Sequence, residues 1–204
     1  MQEGKVLLND GQVDDFTCTV TDGDVLLIDG VEHTVGIEST DKQLLAFHKP
    51  VGYVVSSDDP HNKTIYSILP PEFSHYRYIG RLDKDSRGLL LLSNDLDLVH
   101  QLTHPSYAGK KVYDVLLDAP ITDRDIQQLL QWVQDGDDIL CAVDVTVLDK
   151  DCYYRITLQE GKNRHIRRML AVLGYDVLDL CRISHGEYVL GDLEEGKRLI
   201  IDNL

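Results

Sequence analysis

The nine residues Gly80-Arg81-Leu82-Asp83-Lys84-Asp85-Ser86-Arg87-Gly88 hold three cations and two carboxylates between two glycines, then run into Leu89-Leu90-Leu91-Leu92. The apolar run reads as a buried strand. A carboxylate at the root of such a strand can serve as acid, base or nucleophile while the cations beside it meet an anionic ligand. Asp, Ser and Gly between apolar segments are also ordinary turn chemistry, so the loop acquires meaning from what else the chain brings to it. A second charged element, Glu160 to Met169, packs Lys162, Arg164, His165, Arg167 and Arg168 into seven residues where a strand gives way to a helix. Unpaired N–H groups at a helix start attract phosphate, whereas cations there oppose the macrodipole, so helix stability does not explain them. In Lys110-Lys111-Val112-Tyr113 the period of two puts Lys111 and Tyr113 on one strand face. A base can stack on that ring while the ammonium meets its phosphate, although a half-buried strand tyrosine is the commoner use.

Other chemistries are not signalled. Cys18, Cys141, Cys152 and Cys181 lie far apart, with no C-x-x-C pair and no histidine at ligand spacing, so reduced core thiols are expected rather than a metal site or disulfides. His61, His100 and His104 form no metal or triad pattern. Asp83 and Asp85, two apart on one loop, do not imply the separation of a glycosidase pair. There is no phosphate-binding loop, dinucleotide fingerprint or nucleophile elbow.

The formal net charge of −15 argues against a protein that coats nucleic acid without selectivity. Residues 1–40 hold nine acids against Lys5 alone, while bases gather at Arg81-Lys84-Arg87, Lys110-Lys111 and Lys162-Arg164-Arg167-Arg168. Local patches must therefore meet any anion. No apolar run approaches the ~20 residues of a membrane span and no signal-peptide pattern opens the chain, so a cytoplasmic protein without a membrane partner is expected.

The elements that position these residues follow from periodicity and turn chemistry. Residues 6–8, 24–28 and 31–33 read as short strands joined by Asn-Asp-Gly and Asp-Gly turns, followed by a candidate linker at 36–42. The domain division is therefore 1–40 and 41–204. Strands are expected at 44–48, 53–56, 89–92 and 111–117, a helical turn at 64–69 stopped by Pro70-Pro71, and a helix capped by Asn94 or Asp95 with Leu96, Val99 and Leu102 inward. Thr122 opens a helix with Ile126, Leu129, Leu130 and Val133 on one face. Alternation marks a strand with Ile139, Cys141, Val143, Val145 and Val147 on one side, linked through Asp149-Lys150-Asp151 to another with Cys152, Tyr154, Ile156 and Leu158. A helix from about Arg164 turns Ile166, Met169, Leu170 and Leu173 inward and ends at Gly174; strands at 177–183 and 199–201 follow. Strands outnumber helices without alternating with them, which predicts an α+β fold on a mixed, mainly antiparallel sheet.

Five stretches occurring in order over about residues 44 to 201 together resemble the RsuA-type branch of the pseudouridine synthases. They are His48-Lys49-Pro50-Val51-Gly52, Gly80-Arg81-Leu82-Asp83 with Gly88-Leu89-Leu90-Leu91, Lys111-Val112-Tyr113, Glu160 to Met169, and Arg182-Ile183 through Gly186 to Leu190-Gly191-Asp192-Leu193. The resemblance implies the pseudouridine synthase fold, with Asp83 as the catalytic aspartate, Tyr113 against the target uracil and Arg167 paired with Asp83. It also implies a reaction with neither metal nor organic cofactor. A uridine in folded RNA must be unstacked before its glycosidic bond is reachable, and an aromatic face offsets the lost stacking. A guanidinium beside the aspartate favours its ionised form.

Residues 4–33 resemble only the β-rich second half of an S4 domain and are strongly acidic, so RNA contact is assigned to residues 41–204. The expected contacts are Lys49, Arg81, Lys111, Lys162, Arg164 and Arg168. The Ser56-Ser57-Asp58-Asp59-Pro60 and Leu102-Thr103-His104-Pro105 stretches point to small-subunit (16S) rRNA. Large-subunit (23S) rRNA, or a catalytically silent RNA-binding factor in ribosome assembly, are the alternatives. The expected partner is ribosomal RNA or an assembly intermediate, not DNA, bound by a monomer.

Overall fold

The computed structural model describes residues 6–9, 11–13, 17–21, 23–35, 41–104, 109–149 and 152–201. They belong to two compact units, Met1–Asp41 and Lys42–Leu204. Most of the linker expected at 36–42 lies outside the described residues. The first unit is an antiparallel sheet of β1 (Val6–Leu8), β2 (Gly11–Gln12), β3 (Val25–Ile28) and β4 (Val31–Thr34), in the order β2-β1-β3-β4. Asp29 and Gly30 take φ of 50° and 82°, as a tight hairpin between β3 and β4 requires.

The second unit is α+β. In chain order it comprises β5 (Leu44–Lys49), β6 (Arg77–Ile79), β7 (Arg87–Ser93), α1 (Leu96–Thr103), β8 (Lys111–Leu117) and α2 (Asp123–Gln131). There follow β9 (Val133–Asp135), β10 (Asp138–Leu140), β11 (Asp144–Asp149), β12 (Tyr153–Leu158), α3 (His165–Val172), β13 (Val177–His185), β14 (Tyr188–Val189) and β15 (Arg198–Ile201). The sheet runs β11-β12-β8-β13-β7-β5-β15, with β14 on β13 and β6 on β7, and β9–β10 form a separate hairpin. Among these strand pairs β13–β7 is the parallel one, with Arg182 opposite Gly88.

Leu89 to Leu92 form an unbroken apolar run because both faces of β7 are covered. Leu90 and Leu92 pack with Phe47, Val115, Ile156 and Met169, while Leu89 and Leu91 pack with Leu44, Ala46 and Ile79 beneath Leu98, Val99 and Leu102 of α1. Asp95 caps α1 by accepting from the N–H groups of Asp97 and Leu98, and Thr122 caps α2 through Asp125. Gly174, at φ +90°, closes α3. No helix among the described residues is long and apolar enough to cross a membrane.

Several local expectations are overturned. Residues 53–56 form no strand: Val54 bridges to Thr64, its N–H bonding to the Lys63 carbonyl. Pro71 does not merely stop a turn but opens a second one, a 3-10 turn at Pro71–Phe73, where its missing N–H costs nothing. Leu96 is 66% exposed, and Leu98 takes its place on the inner face of α1. Helix α2 ends at Gln131, so Val133 is buried from β9 instead. The long strand expected across 139–147 is broken, because the Ala142 N–H bonds to the Leu129 carbonyl and pulls the chain onto α2. Leu140 and Ala142 are buried there, whereas Ile139, Val143 and Val147 face out. The link expected at 149–151 has residues 150 and 151 outside the described set, and β11–β12 do pair antiparallel. All four thiols are free, but Cys18 and Cys141 are exposed and Cys152 is half-buried, leaving Cys181 as the core thiol.

Candidate active site

The carboxylate loop is suspended between β6 and β7 and is held from beneath by Lys49. This side chain, at the end of β5, is 0% exposed, and its Nζ donates to the carbonyls of Asp83 (3.0 Å), Ser86 (2.7 Å) and Pro50 (3.0 Å). The Gly52 N–H bonds to the Lys84 carbonyl and the Ser86 N–H to that of Asp83. Lys49 was expected to contact substrate; buried under the loop, it instead satisfies carbonyls that would otherwise lack donors. Burial pulls its pKa down from 10.5 to about 8, against the attraction of Asp83, Asp85 and Glu195.

That shift has a testable consequence. A deprotonated amine has two hydrogens for three carbonyls, so the loop loosens as pH rises through about 8. Stability should not fall with it. Between about pH 8 and 10.5 the unfolded chain binds the proton that the folded chain has released, and by linkage folding becomes more favourable as pH rises through that window. Activity declining above about pH 8 without a matching fall in the Lys49-dependent part of stability is the expected result. Rates and thermal melts of wild type and Lys49→Met across that range would check it; a wild-type rate flat across the window would refute it.

Asp83 opens into a cleft of about 960 Å³, of the size that holds a small ligand. Its walls bring together Asp83, Tyr113, Arg81, Lys111, Lys162 and Arg164. Among the described residues six cationic side chains line it (those four, Lys84 and Arg182) against the carboxylates of Asp59, Asp83 and Glu160, so the cleft is locally positive in an acidic chain. Leu82, Leu158, Ile166 and Leu180 supply apolar wall. Tyr113 is buried on β8, and Lys111 reaches the cleft from the same strand face. Burial, then the nearby Arg182, lowers the Lys111 pKa. The Asp83 side chain is 27% exposed. Burial holds its pKa above the ordinary 3.8; Arg164, Arg167 and Lys49 pull it down and Asp85 pushes it up.

The basic turn is arranged differently from expectation. Arg164 Nη1 lies 4.0 Å from Asp83 Oδ2, and both its terminal nitrogens donate to the Asp85 carboxylate at 2.9 Å. Arg167, expected to pair with Asp83, meets Asp85 instead: Nη2 donates to the Asp85 carbonyl (2.7 Å) and Nε stands 3.3 Å from Oδ2. Its Nη1 is tied to the Val177 carbonyl (2.9 Å), so the side chain spans from the loop to β13 and does not line the cleft. Arg168, expected to contact substrate, also lies outside it, paired with Asp135 and, at 2.7 Å, with Asp138. Lys162 reaches the cleft but shares Asp138 (3.5 Å) and Glu160 (3.7 Å). The phosphate site expected at the start of α3 is therefore largely neutralised by carboxylates from β9, β10 and the Asp83 loop.

Two residues without an assigned role become prominent. Asp85 joins both guanidinium groups, and Arg164 lowers its pKa by hydrogen bonding. Arg182, 1% exposed, donates from Nε to the Leu89 carbonyl (2.7 Å) and ties β13 to β7 under the loop. The spacing Asp83-x-Asp85 was the available signal for the first; for the second it was the place of Arg182-Ile183 at the head of the fifth resembling stretch, to which no role was attached.

Residues 43–172 match the family model for RNA pseudouridylate synthase. The chain is 31% identical over 92% of its length to the ribosomal large subunit pseudouridine synthase B of Yersinia pestis, covering 61% of that protein. It is 30% identical to the ribosomal large subunit pseudouridine synthase E of Vibrio parahaemolyticus, with 79% of this chain and 74% of that one aligned. It is 36% identical to the dual-specificity RNA pseudouridine synthase RluF of Escherichia coli, with 89% and 61% aligned. A crystal structure of a pseudouridylate synthase superposes with a TM-score of 0.74 at 28% identity, covering 97% of this chain and 85% of that one. The chain spans about three-fifths of the length of the Yersinia and Escherichia relatives. Because the matched region is most of the unit that carries the cleft, and the Vibrio relative is itself 74% covered, the chain belongs to the RNA pseudouridylate synthase family.

Proposed function

We propose that this chain converts a uridine of ribosomal RNA to pseudouridine with Asp83 as the catalytic residue, and that the RNA is that of the large subunit. The observation that carries the reaction is the placement of Asp83, partly desolvated and facing Arg164, in one cleft with Tyr113. The N1–C1′ bond breaks, the uracil turns, and C5 joins C1′; C5 then gives up its proton and N1 takes one up, so the product is an isomer and no electron acceptor is required. Tyr113 offers an aromatic face to the unstacked base and the leucine-rich wall excludes water. Attack on C1′ and removal of the 2′ proton both require ionised Asp83, which Arg164 favours. The small-subunit expectation from residues 56–60 and 102–105 gives way, because two of the three relatives above are named for the large subunit.

The test is pseudouridine mapping of ribosomal RNA from cells lacking this protein, complemented with wild type or Asp83→Ala. Loss of one large-subunit site, restored by wild type alone, is expected. Persistence of every site, or restoration by Asp83→Ala, would refute the catalytic reading; loss confined to small-subunit RNA would refute the substrate.

RNA contact is assigned to residues 41–204. Deleting residues 1–40, which removes nine acids and one base, is expected to leave affinity for ribosomal RNA within about threefold, since phosphate affinity comes from Lys and Arg. Filter binding at fixed salt would check this, and a loss of tenfold or more, roughly 1.4 kcal/mol, would contradict it.

A further inference from the structure

We propose that Asp85 is a positioning residue: its carboxylate forks Arg164 so that this guanidinium faces Asp83, and the reaction depends on that fork. This rests on the reading of Asp83 as the catalytic carboxylate.

Asp85 does not line the cleft, and its side chain is 46% exposed, so it neither reaches a base bound there nor serves as a core residue. What it touches is Arg164, through two parallel 2.9 Å hydrogen bonds. Such a fork fixes the plane of a guanidinium as well as its position. Arg164 needs fixing. It is itself 44% exposed, and it sits at φ 49° in the left-handed region just before α3, a backbone position that a non-glycine residue holds only when its surroundings impose it. Arg167 braces the arrangement from the other side, because it grips the Asp85 carbonyl while bound to Val177. Asp83 therefore meets a guanidinium supplied by a residue 79 positions beyond Asp85 and held in place by Asp85.

The charged groups facing Asp83 are Lys49 from the end of β5, Arg164 and Arg167 from the turn and start of α3, and Asp85 from its own loop. Among them Arg164 acts most strongly, lowering the Asp83 pKa by more than Asp85 raises it. This ordering gives the test a sign. If Asp85 is lost and Arg164 stays, Asp83 titrates lower; if Arg164 swings away, the larger effect disappears and Asp83 titrates higher.

The experiment compares the full-length protein with Asp85→Asn, Arg164→Gln and the double variant on in vitro transcribed large-subunit rRNA. Asp85→Asn should lower kcat about 10- to 100-fold, the range for a misplaced catalytic group, with KM changed less than about threefold. The acid limb of kcat/KM should move to higher pH. The double variant should be no slower than Arg164→Gln alone, and Asp85→Glu should recover part of the rate. Losses that multiply in the double variant, or a loss carried by KM, would overturn the proposal. Carboxyl carbon NMR of the RNA-free protein, with the Asp83 signal assigned by Asp83→Asn, gives a readout independent of turnover. An upward move of the Asp83 midpoint in Asp85→Asn supports the fork, and an unchanged or downward midpoint overturns it. A wild type that forms no pseudouridine would refute the proposed function while leaving the titration to decide the role of Asp85.

Discussion

Asp83→Asn is expected to reduce pseudouridine formation by at least about 10⁴-fold, as loss of a catalytic group does elsewhere, while leaving the protein as stable as wild type or more so at neutral pH. The substitution keeps the shape of the side chain and removes only its ability to ionise, and both chemical routes require the carboxylate. The stability sign follows from linkage. Burial raises the folded-state pKa of Asp83 above its ordinary 3.8. Between that value and the folded pKa, the folded chain holds a proton that the unfolded chain has released, so stability falls as pH rises through the window and stays lowered above it. An asparagine avoids this destabilisation, the trade expected where function needs a partly buried charge. The same raised pKa moves the acid limb of wild-type activity upward from that of a fully solvated aspartate. Rates, thermal melts and a pH profile of the two proteins would check all three points. An Asp83→Asn protein that retained a tenth of the activity would contradict the assignment of Asp83.

Gly88→Ala is expected to destabilise the larger unit by about 3 kcal/mol or more, combining overpacking with backbone strain. Gly88 sits at φ +114°, and a Cβ there would lie 2.3 Å from the Arg182 carbonyl oxygen and 2.4 Å from the Arg182 nitrogen. Both are backbone atoms of the strand paired with it in parallel, and neither can rotate aside as a side-chain end could. Relief requires β13 to withdraw from β7, which disturbs the strand that carries the Asp83 loop and the strand that carries Arg182. Gly52, at φ +97° but with nothing within 4 Å of where a Cβ would lie, is the internal control. Its alanine variant meets only the conformational penalty, about 1–2 kcal/mol. Urea midpoints of the two variants would separate steric from conformational effects; equal midpoints would show that the close approach of Gly88 to Arg182 carries no weight.

The parts legible in the amino-acid order were those dictated by short-range physics. Asn94 or Asp95, of which the structure uses Asp95, and Thr122 announced helix starts because a cap is satisfied within three residues. Leu89 to Leu92 announced a strand because one covered on both faces stays apolar throughout, and the alternation of Tyr154, Ile156 and Leu158 announced another because burial there repeats with the pleat. The Asp83 loop, Tyr113 and Lys111 could likewise be singled out from residue type and spacing. The expected inward face of 139–147 failed because one hydrogen bond to Leu129 broke the strand, an event no alternation pattern contains.

Charge pairing was decided by the tertiary structure. In the linear chain Arg164, Arg167 and Arg168 form one basic cluster; folded, two of them meet Asp85 from 79 and 82 positions away, and the third meets Asp135 and Asp138 from 33 and 30 positions away. Lys49 similarly changes from a candidate RNA contact to a buried support of the loop. A cation's role depends on which carboxylates or carbonyls lie within about 4 Å of it, and that distance is set by how the strands are ordered in the sheet rather than by neighbours in the chain.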